Sequence, residues 1–255
     1  MNTDTPRVLV VDDEEDNCRN LSDILGDLGC EVQTAHDGPS ALELIRRTSF
    51  DVALLDLKMP GMDGLTLCRE MKQLRSETVA IIVTAYSGPT TAVEAIEAGA
   101  CHVLSKPVQL PLLLSKVDEA AGKPLVLVVD DDRDLCSNLA DLFRDRGYRV
   151  AIAFDGDQAA ERLAETSFRV VLIDMRLPGG SGDVVFRNVR KIAPLARTML
   201  ITGYRGETDE LVATALAAGA DAVCYKPFDT SELLDAVDAL AFKSGSTAIG
   251  EGTPR

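Results

Sequence analysis

The chain has 255 residues, 46% of them hydrophobic, which is enough for two domains that each bury a core. Its 26 basic and 41 acidic side chains give a net charge of −15, and this charge repels phosphate backbones and anionic lipid. We therefore expect no direct nucleic-acid partner and no membrane partner. The sequence lacks a signal peptide and any apolar run of about 18 residues, so it predicts a cytoplasmic protein.

Five apolar segments in the first half of the chain have the length of β-strands, and each is followed by a helical pattern. One such helix is "NCRNLSDILGDLG", residues 17 to 29, where Gly29 fits a C-cap. The predicted strands lie near residues 7–11, 31–35, 51–56, 79–84 and 101–105. Apolar strands that alternate with amphipathic helices predict a doubly wound α/β domain with a parallel sheet covered on both faces.

The second half of the chain repeats the first. The segment "RVLVVDDEED" at 7–16 matches "LVLVVDDDRD" at 125–134, and "TSFDVALLD" at 48–56 matches "TSFRVVLID" at 166–174, with the same offset of 118 residues. Copies of this length indicate two globular domains and not a solenoid. We expect a first domain at 1–122, a second domain at 123–242 whose first two residues, Lys123-Pro124, form a short hinge, and a flexible tail at 243–255.

Polar side chains stand where the predicted strands end, and parallel strands bring these ends to one edge of the sheet. In the first copy they are Asp12, Asp13, Asp56, Thr84 and Lys106. In the second copy they are Asp130, Asp131, Asp174, Thr202 and Lys226. Three neighbouring carboxylates repel one another by roughly 1 kcal/mol per pair in water and about 4 kcal/mol near a protein surface, so the pattern indicates a cation.

Hard oxygen ligands that leave room for water suit Mg²⁺. We expect Asp13 and Asp56 to bind the ion directly and Asp12 to bind it directly or through water, with the same arrangement in the second copy. A metal, an ammonium group and a hydroxyl around one carboxylate would cradle the oxygens of a phosphoryl group. The sequence therefore predicts that Asp56 and Asp174 attack a phosphoryl donor and become acyl phosphates, helped by the threonine and lysine of each copy.

The motifs "VVDDE", "LLDLKMPGMDG", "IIVTA" and "LSKP" resemble those of the receiver domains of two-component response regulators, and "VVDDD", "LIDMRLPGGSG", "LITG" and "CYKP" resemble a second receiver. The resemblance implies two flavodoxin-like domains with five parallel strands in the order 2-1-3-4-5. It implies that the backbone carbonyls of Lys58 and Arg176 complete the metal shells and that both Lys-Pro bonds are cis. It also implies that a histidine kinase or phosphotransfer protein donates the phosphoryl group and that a downstream protein is the partner. It is compatible with a homodimer.

The same resemblance implies no enzyme activity beyond self-phosphorylation and self-dephosphorylation. Few residues follow the second copy, so we expect the output to lie in partner proteins. Two alternatives stay open: one receiver is an unphosphorylated interaction module or phosphate sink, or the chain is the receiver part of a longer regulator or hybrid kinase. The sequence also departs from the usual receiver pattern, because Val103 and Val223 replace the aromatic residue often found three residues before the lysine.

Other classes of site fit the sequence less well. An aspartyl-phosphate hydrolase places a second acid two residues after the first, where this chain has Lys58 and Arg176. A nucleotide-binding domain needs a glycine-rich turn after the first strand. The lone His36 and His102 are not expected to bind metal. Six cysteines without CxxC spacing are expected to be buried free thiols: Cys18, Cys30, Cys68, Cys101, Cys136 and Cys224.

Overall fold

The structure is a computed structural model, and it describes residues 5–74, 77–86, 88–177, 180–203 and 209–242. The first half of the chain alternates strands and helices without exception. Its elements are β1 (Arg7–Val11), α1 (Glu15–Asp27), β2 (Glu31–Ala35), α2 (Gly38–Arg47), β3 (Val52–Asp56), α3 (Gly64–Gln73), β4 (Val79–Thr84), α4 (Pro89–Ala98), β5 (His102–Ser105) and α5 (Leu110–Ala121).

The five strands form one parallel sheet in the order β2-β1-β3-β4-β5, as the receiver resemblance implied. The central strand β3 reads VALLD and is buried along its whole length. Such strands are apolar on both faces because helices cover both faces of the sheet. Alternate residues accordingly enter two separate cores: Leu9 and Leu55 pack on one side, and Val10 and Leu54 on the other.

The second half of the chain repeats this architecture. Its elements are β6 (Leu125–Val129), α6 (Arg133–Asp145), β7 (Arg149–Ala153), α7 (Gly156–Glu165), β8 (Val170–Asp174), β9 (Arg176–Leu177), β10 (Gly180–Ser181), α8 (Gly182–Ile192), β11 (Arg197–Thr202), α9 (Asp209–Ala217), β12 (Ala222–Tyr225) and α10 (Thr230–Phe242). The five long strands are parallel in the order β7-β6-β8-β11-β12. Strands β9 and β10 form a short antiparallel pair that the sequence analysis did not predict.

Most local predictions agree with this structure. Helix α1 is followed by Gly29 with a φ of 90°, a backbone conformation that favours glycine. The cysteine prediction is only half right. None of the six thiols forms a disulfide, but only Cys18, Cys68 and Cys136 are buried, while Cys30, Cys101 and Cys224 are half-buried. The latter three lie near the ends of strands, where the sheet meets solvent. Within the described ranges, no helix combines the length and apolar character needed to cross a bilayer.

Candidate functional site

The predicted acids meet at the carboxyl edge of each sheet. In the first domain, Asp12 follows β1 and Asp56 ends β3, and the two residues are only 3% and 9% exposed. In the second domain, the equivalent Asp130 and Asp174 are 1% and 7% exposed. The parallel pairing of β1 with β3 and of β6 with β8 brings each pair of carboxylates together.

One lysine bridges the two buried acids in each domain. The Lys106 Nζ lies 2.7 Å from Asp12 Oδ2 and 2.6 Å from Asp56 Oδ1. In the second domain, the Lys226 Nζ lies 2.7 Å from Asp130 Oδ2 and 3.0 Å from the acid of β8. Each ammonium group therefore neutralises part of the charge that burial would otherwise make costly.

The titration of these groups follows from burial and from their partners. Burial alone would lower the pKa of Lys106, but hydrogen bonds and charges from Asp12 and Asp56 outweigh it and raise the pKa above its ordinary value. The same holds for the pKa of Lys226. Both lysines are therefore fully charged at neutral pH. Burial raises the pKa of Asp174, although the Arg176 N–H and Lys226 oppose this effect.

The loop after each β-strand acid turns back over that acid. The backbone N–H of Lys58 donates to Asp56 Oδ2 at 2.7 Å, and that of Arg176 donates to Asp174 Oδ1 at 3.1 Å. Helix α3 then begins at Gly64, where a Cβ atom would collide with the backbone carbonyl of Asp56. Gly182 makes the same approach to the carbonyl of Asp174. Glycine is therefore required for the helix to start this close to the strand end.

The threonine and lysine of each site are tied together through the backbone. Thr84 and Thr202 are buried at the ends of β4 and β11. The Lys106 N–H donates to the carbonyl of Thr84 at 2.8 Å, and the Lys226 N–H donates to that of Thr202 at 2.7 Å. Both Lys-Pro bonds are cis, as the resemblance implied. In addition, the hydroxyl of Thr84 accepts a hydrogen bond from the Tyr86 N–H at 3.0 Å.

The acids also have the chemistry of a metal site. One oxygen from each of Asp130, Asp131 and Asp174 lies within 4.8 Å of the others, and this is the one group of potential ligands that meets the distance among the described residues. These three hard oxygen donors suit Mg²⁺, and the exposed Asp131 leaves the site open to water. In the first domain, Asp13 is likewise exposed beside two buried acids.

Asn17 is a member of the site that the sequence did not predict. Its side-chain amide donates to both carboxylate oxygens of Asp12, each at 3.1 Å. Asn17 is the third residue of α1, and its place on the first helical turn after the strand-end acids was the signal that could have indicated it. The equivalent residue of the second domain is Leu135, which packs against the core.

Other residues named from the sequence lie near the site without entering it. Val103 and Val223 are half-buried against the cores, so each site has an aliphatic residue where an aromatic one is usual. The His102 Nε2 lies 3.4 Å from Glu119 Oε1, away from the strand-end aspartates. Residues 204–208, between β11 and α9, lie outside the described residues.

Comparisons with known proteins agree with this geometry. The response regulator receiver domain family matches residues 8–118 and 126–238. A response regulator receiver protein of Anaeromyxobacter sp. (strain Fw109-5) is 35% identical over 245 residues, which cover 96% of this chain and 99% of that protein. The response regulator PleD of Caulobacter vibrioides is 35% identical over 169 residues, which cover 62% of this chain and 37% of PleD.

Solved structures that resemble this chain match one half of it at a time. Chemotaxis protein CheY4 of Vibrio cholerae is 31% identical with a TM-score of 0.44, and the match covers 46% of this chain and 99% of CheY4. The family match and the full-length relative together show what the chain is. It belongs to the response regulator receiver family, and it is a two-component response regulator with two receiver domains in tandem.

Proposed function

We propose that each receiver accepts a phosphoryl group, on Asp56 in the first and Asp174 in the second, from a histidine kinase or phosphotransfer protein. The observation that carries this proposal is the duplicated arrangement of a buried strand-end acid, a second acid and a bridging lysine. A single acid paired with a lysine is common in proteins for structural reasons alone. Two copies of the whole set, each at the same sheet edge, favour a shared chemistry.

The carboxylate of Asp56 is the nucleophile. One of its oxygens forms a bond to phosphorus while the bond from phosphorus to the donor's histidine nitrogen breaks, and the electron pair of that bond stays on the imidazole. The Lys106 ammonium, already 2.6 Å from Asp56 Oδ1, is placed to pair with a phosphoryl oxygen. The Thr84 hydroxyl accepts from a backbone N–H, which leaves its own hydrogen to donate to another phosphoryl oxygen.

The residues of both sites fit Mg²⁺. In the first receiver, Asp13, Asp56 and the Lys58 carbonyl would hold the ion, with Asp12 bound directly or through water. In the second, Asp131, Asp174 and the Arg176 carbonyl would hold it beside Asp130. Bound there, the ion would neutralise charge on the phosphoryl oxygens. The protein's own part is to hold the acids close together while its lysine offsets their repulsion.

The acyl phosphates serve in signalling, through a downstream protein that distinguishes the phosphorylated receivers from the free ones. Beyond self-phosphorylation and self-dephosphorylation, this function requires no reaction on a separate substrate. It also requires no contact with nucleic acid.

Intact-mass measurement after incubation with acetyl phosphate and Mg²⁺ tests the assignment. We expect up to two phosphoryl additions in the natural chain, one in each of Asp56→Asn and Asp174→Asn, and none in the double variant. Asp63→Asn is the matched control, because Asp63 caps α3 by accepting from the Thr66 N–H and takes no part in the site. Phosphoryl groups that persist in the double variant would contradict the proposal.

A further inference from the structure

The two receivers contact each other through a buried ion pair. Arg149, at the start of β7 in the second receiver, is 6% exposed. Its Nη1 lies 2.7 Å from Asp51 Oδ1 of the first receiver, and its Nε donates to the Glu77 carbonyl at 3.3 Å. Two further pairs flank it: Lys72 with Asp141 at 3.2 Å, and Glu77 with Arg162 at 3.6 Å.

These contacts define two surfaces. The base of the first receiver consists of Asp51, Lys72 and Glu77, at the ends of its elements opposite the phosphorylation site. The edge of the second receiver consists of Asp141, Arg149 and Arg162, on α6, β7 and α7. Because the chain is a repeat, the second receiver has a base of its own and the first receiver an edge of its own.

The offset of 118 residues identifies these two outward surfaces. The outer base, on the second receiver, consists of Arg169, Arg190 and Leu195, which correspond to Asp51, Lys72 and Glu77. The outer edge, on the first receiver, consists of Asp23, Glu31 and Leu44, which correspond to Asp141, Arg149 and Arg162.

Each of the three ion pairs between the receivers has a corresponding pair of residues on the outward surfaces. The two members of every corresponding pair are complementary to each other. The pair Asp51–Arg149 becomes Arg169–Glu31, with both charges reversed. The pair Lys72–Asp141 becomes Arg190–Asp23, with both signs kept. The pair Glu77–Arg162 becomes Leu195–Leu44, so two charged residues are replaced together by two apolar ones. Independent drift of two solvent-facing surfaces gives no reason for two matched changes beside one retained pair.

Among the residues that the structure describes, most side chains of the outward surfaces are exposed. Leu195 is 90% exposed, the largest exposed fraction among the large apolar side chains that the structure describes. Asp23, Glu31 and Arg169 are exposed as well, although the Arg169 Nε donates to the Ala241 carbonyl at 2.6 Å. Leu44 is half-buried against the core of the first receiver. Arg190 pairs with Asp221 at 3.1 Å, yet its side chain stays 28% exposed. A single exposed leucine is ordinary on a protein surface, so the complementary charge pairs beside it carry the inference.

We propose that these surfaces bind a second copy of the chain head to tail, with the outer base of one molecule on the outer edge of the next. The intermolecular contact brings together the same two kinds of surface as the contact between the two receivers, but Glu31 cannot donate as Arg149 does to the Glu77 carbonyl. Because the surfaces differ, the association is heterologous and extends into short chains or closes into rings. Three residues between α5 and β6 tether the two receivers, and this tether raises the effective concentration for the intramolecular contact. The intermolecular contact has no such tether. The association is therefore weak and depends on protein concentration.

Sedimentation velocity of the full-length protein from about 10 µM to about 1 mM tests the proposal, since tethered contacts of this kind have effective concentrations in the millimolar range. We expect the weight-average sedimentation coefficient to rise with concentration. Glu31→Arg and Arg169→Glu should each weaken association at least tenfold, because each places like charges in contact. An equimolar mixture of the two variants should restore it, since each variant then meets an opposite charge.

Glu94→Arg on α4 is the matched control, because Glu94 is exposed and lies on neither surface. Like Glu31→Arg, it changes the net charge from −15 to −13, which by itself reduces repulsion between molecules. It should therefore leave association unchanged or slightly stronger. A natural chain that stays monomeric over the whole range would overturn the proposal. So would a mixture that fails to associate, or a loss of association in Glu94→Arg equal to that in Glu31→Arg.

Discussion

In the first receiver, the carboxylate of Asp12 accepts hydrogen bonds from the Asn17 amide, whereas Leu135 occupies that place in the second receiver. The other partners of the two acids correspond. Asp12 and Asp130 each accept from a lysine and from the backbone N–H two residues on. The acids of the second receiver also lie within metal-binding distance of one another. A residue one helical turn away therefore distinguishes two sites whose reactive side chains are the same.

The largest effect is expected from removing the bridging lysines. Lys106→Met or Lys226→Met leaves two buried acids without their cation, so the free energy of unfolding should fall by about 3 kcal/mol in the absence of Mg²⁺. Phosphoryl acceptance at the affected site should fall about 100-fold or more. Urea denaturation of each variant across an Mg²⁺ titration measures the first effect.

The comparison between receivers predicts how the lysine variants respond to metal. Mg²⁺ should restore stability to Lys226→Met at a lower concentration than to Lys106→Met, because Asn17 holds Asp12 in the first receiver. The control is Lys116→Met, which breaks the exposed ion pair that the Lys116 Nζ forms with Glu119 Oε2 at 2.6 Å. Its free energy of unfolding should fall by less than about 1 kcal/mol. Recovery of both variants at the same concentration would show that the two sites bind metal equally.

The next largest effect is expected from breaking the buried ion pair between the two receivers. Arg149→Met removes the buried partner of Asp51 between them and should cost about 3 kcal/mol. Scanning calorimetry should then show the two receivers unfolding in transitions further apart than in the natural chain. The control Lys72→Met breaks a pair whose two side chains are both 49% exposed, and it should cost less than about 1 kcal/mol. Equal effects of the two changes would contradict the dominance of the buried pair.

The stability of the two receivers should depend differently on pH in the acid range, because only the second receiver contains Asp221. Burial raises the pKa of this carboxyl, but the Thr198 N–H, Arg197 and Arg190 outweigh it and lower the pKa below its ordinary value. An acid with a depressed pKa stabilises the fold above its unfolded pKa and loses that contribution as the pH falls through the folded value. Asp221→Asn should therefore cost the second receiver about 1.5 kcal/mol at neutral pH and almost nothing in strong acid.

The first receiver provides the internal reference for this experiment, because Cys101 stands directly before β5, as Asp221 stands directly before the equivalent strand β12. Urea unfolding of the variant at several pH values should shift the transition of the second receiver alone. A destabilisation of the variant that is independent of pH would rule out the ion pairs as its cause.

The smallest effect is expected from exchanging the residues that distinguish the sites. Asn17→Leu removes an amide that must release Asp12 when metal binds, so the Mg²⁺ affinity of the first receiver should rise about fivefold, or about 1 kcal/mol. Leu135→Asn should lower the affinity of the second receiver by a similar factor. Calorimetric Mg²⁺ titration, with the other site disabled by changing its exposed acid to Asn, measures both. Leu135→Met is the control that keeps an apolar side chain, and a change in affinity as large as that of Leu135→Asn would contradict the role of the amide.

The sequence predicted the fold because its signals are local and occur twice. Apolar runs such as VALLD end in an acid at a strand end, and parallel strands necessarily bring such ends together. The contact of Asn17 with Asp12 was harder to predict, because a polar residue on the first turn of a helix usually faces solvent. The role of Arg149 depends on how two domains pack, which no local pattern reports. Comparing the copies with each other could have indicated it, since Asp51 and Arg149 correspond to residues of opposite charge, Arg169 and Glu31.

The close approach of Gly64 to the carbonyl of Asp56, and of Gly182 to that of Asp174, places the first turn of a helix directly against the backbone of each acid. We expect a displacement of that backbone to shift the start of α3 or α8. Because a helix is stiff, its far end should shift with its start. In the first receiver that far end carries Lys72, which contacts the second receiver at Asp141. We therefore expect this contact to link the acid at one edge of the sheet to the junction between the receivers.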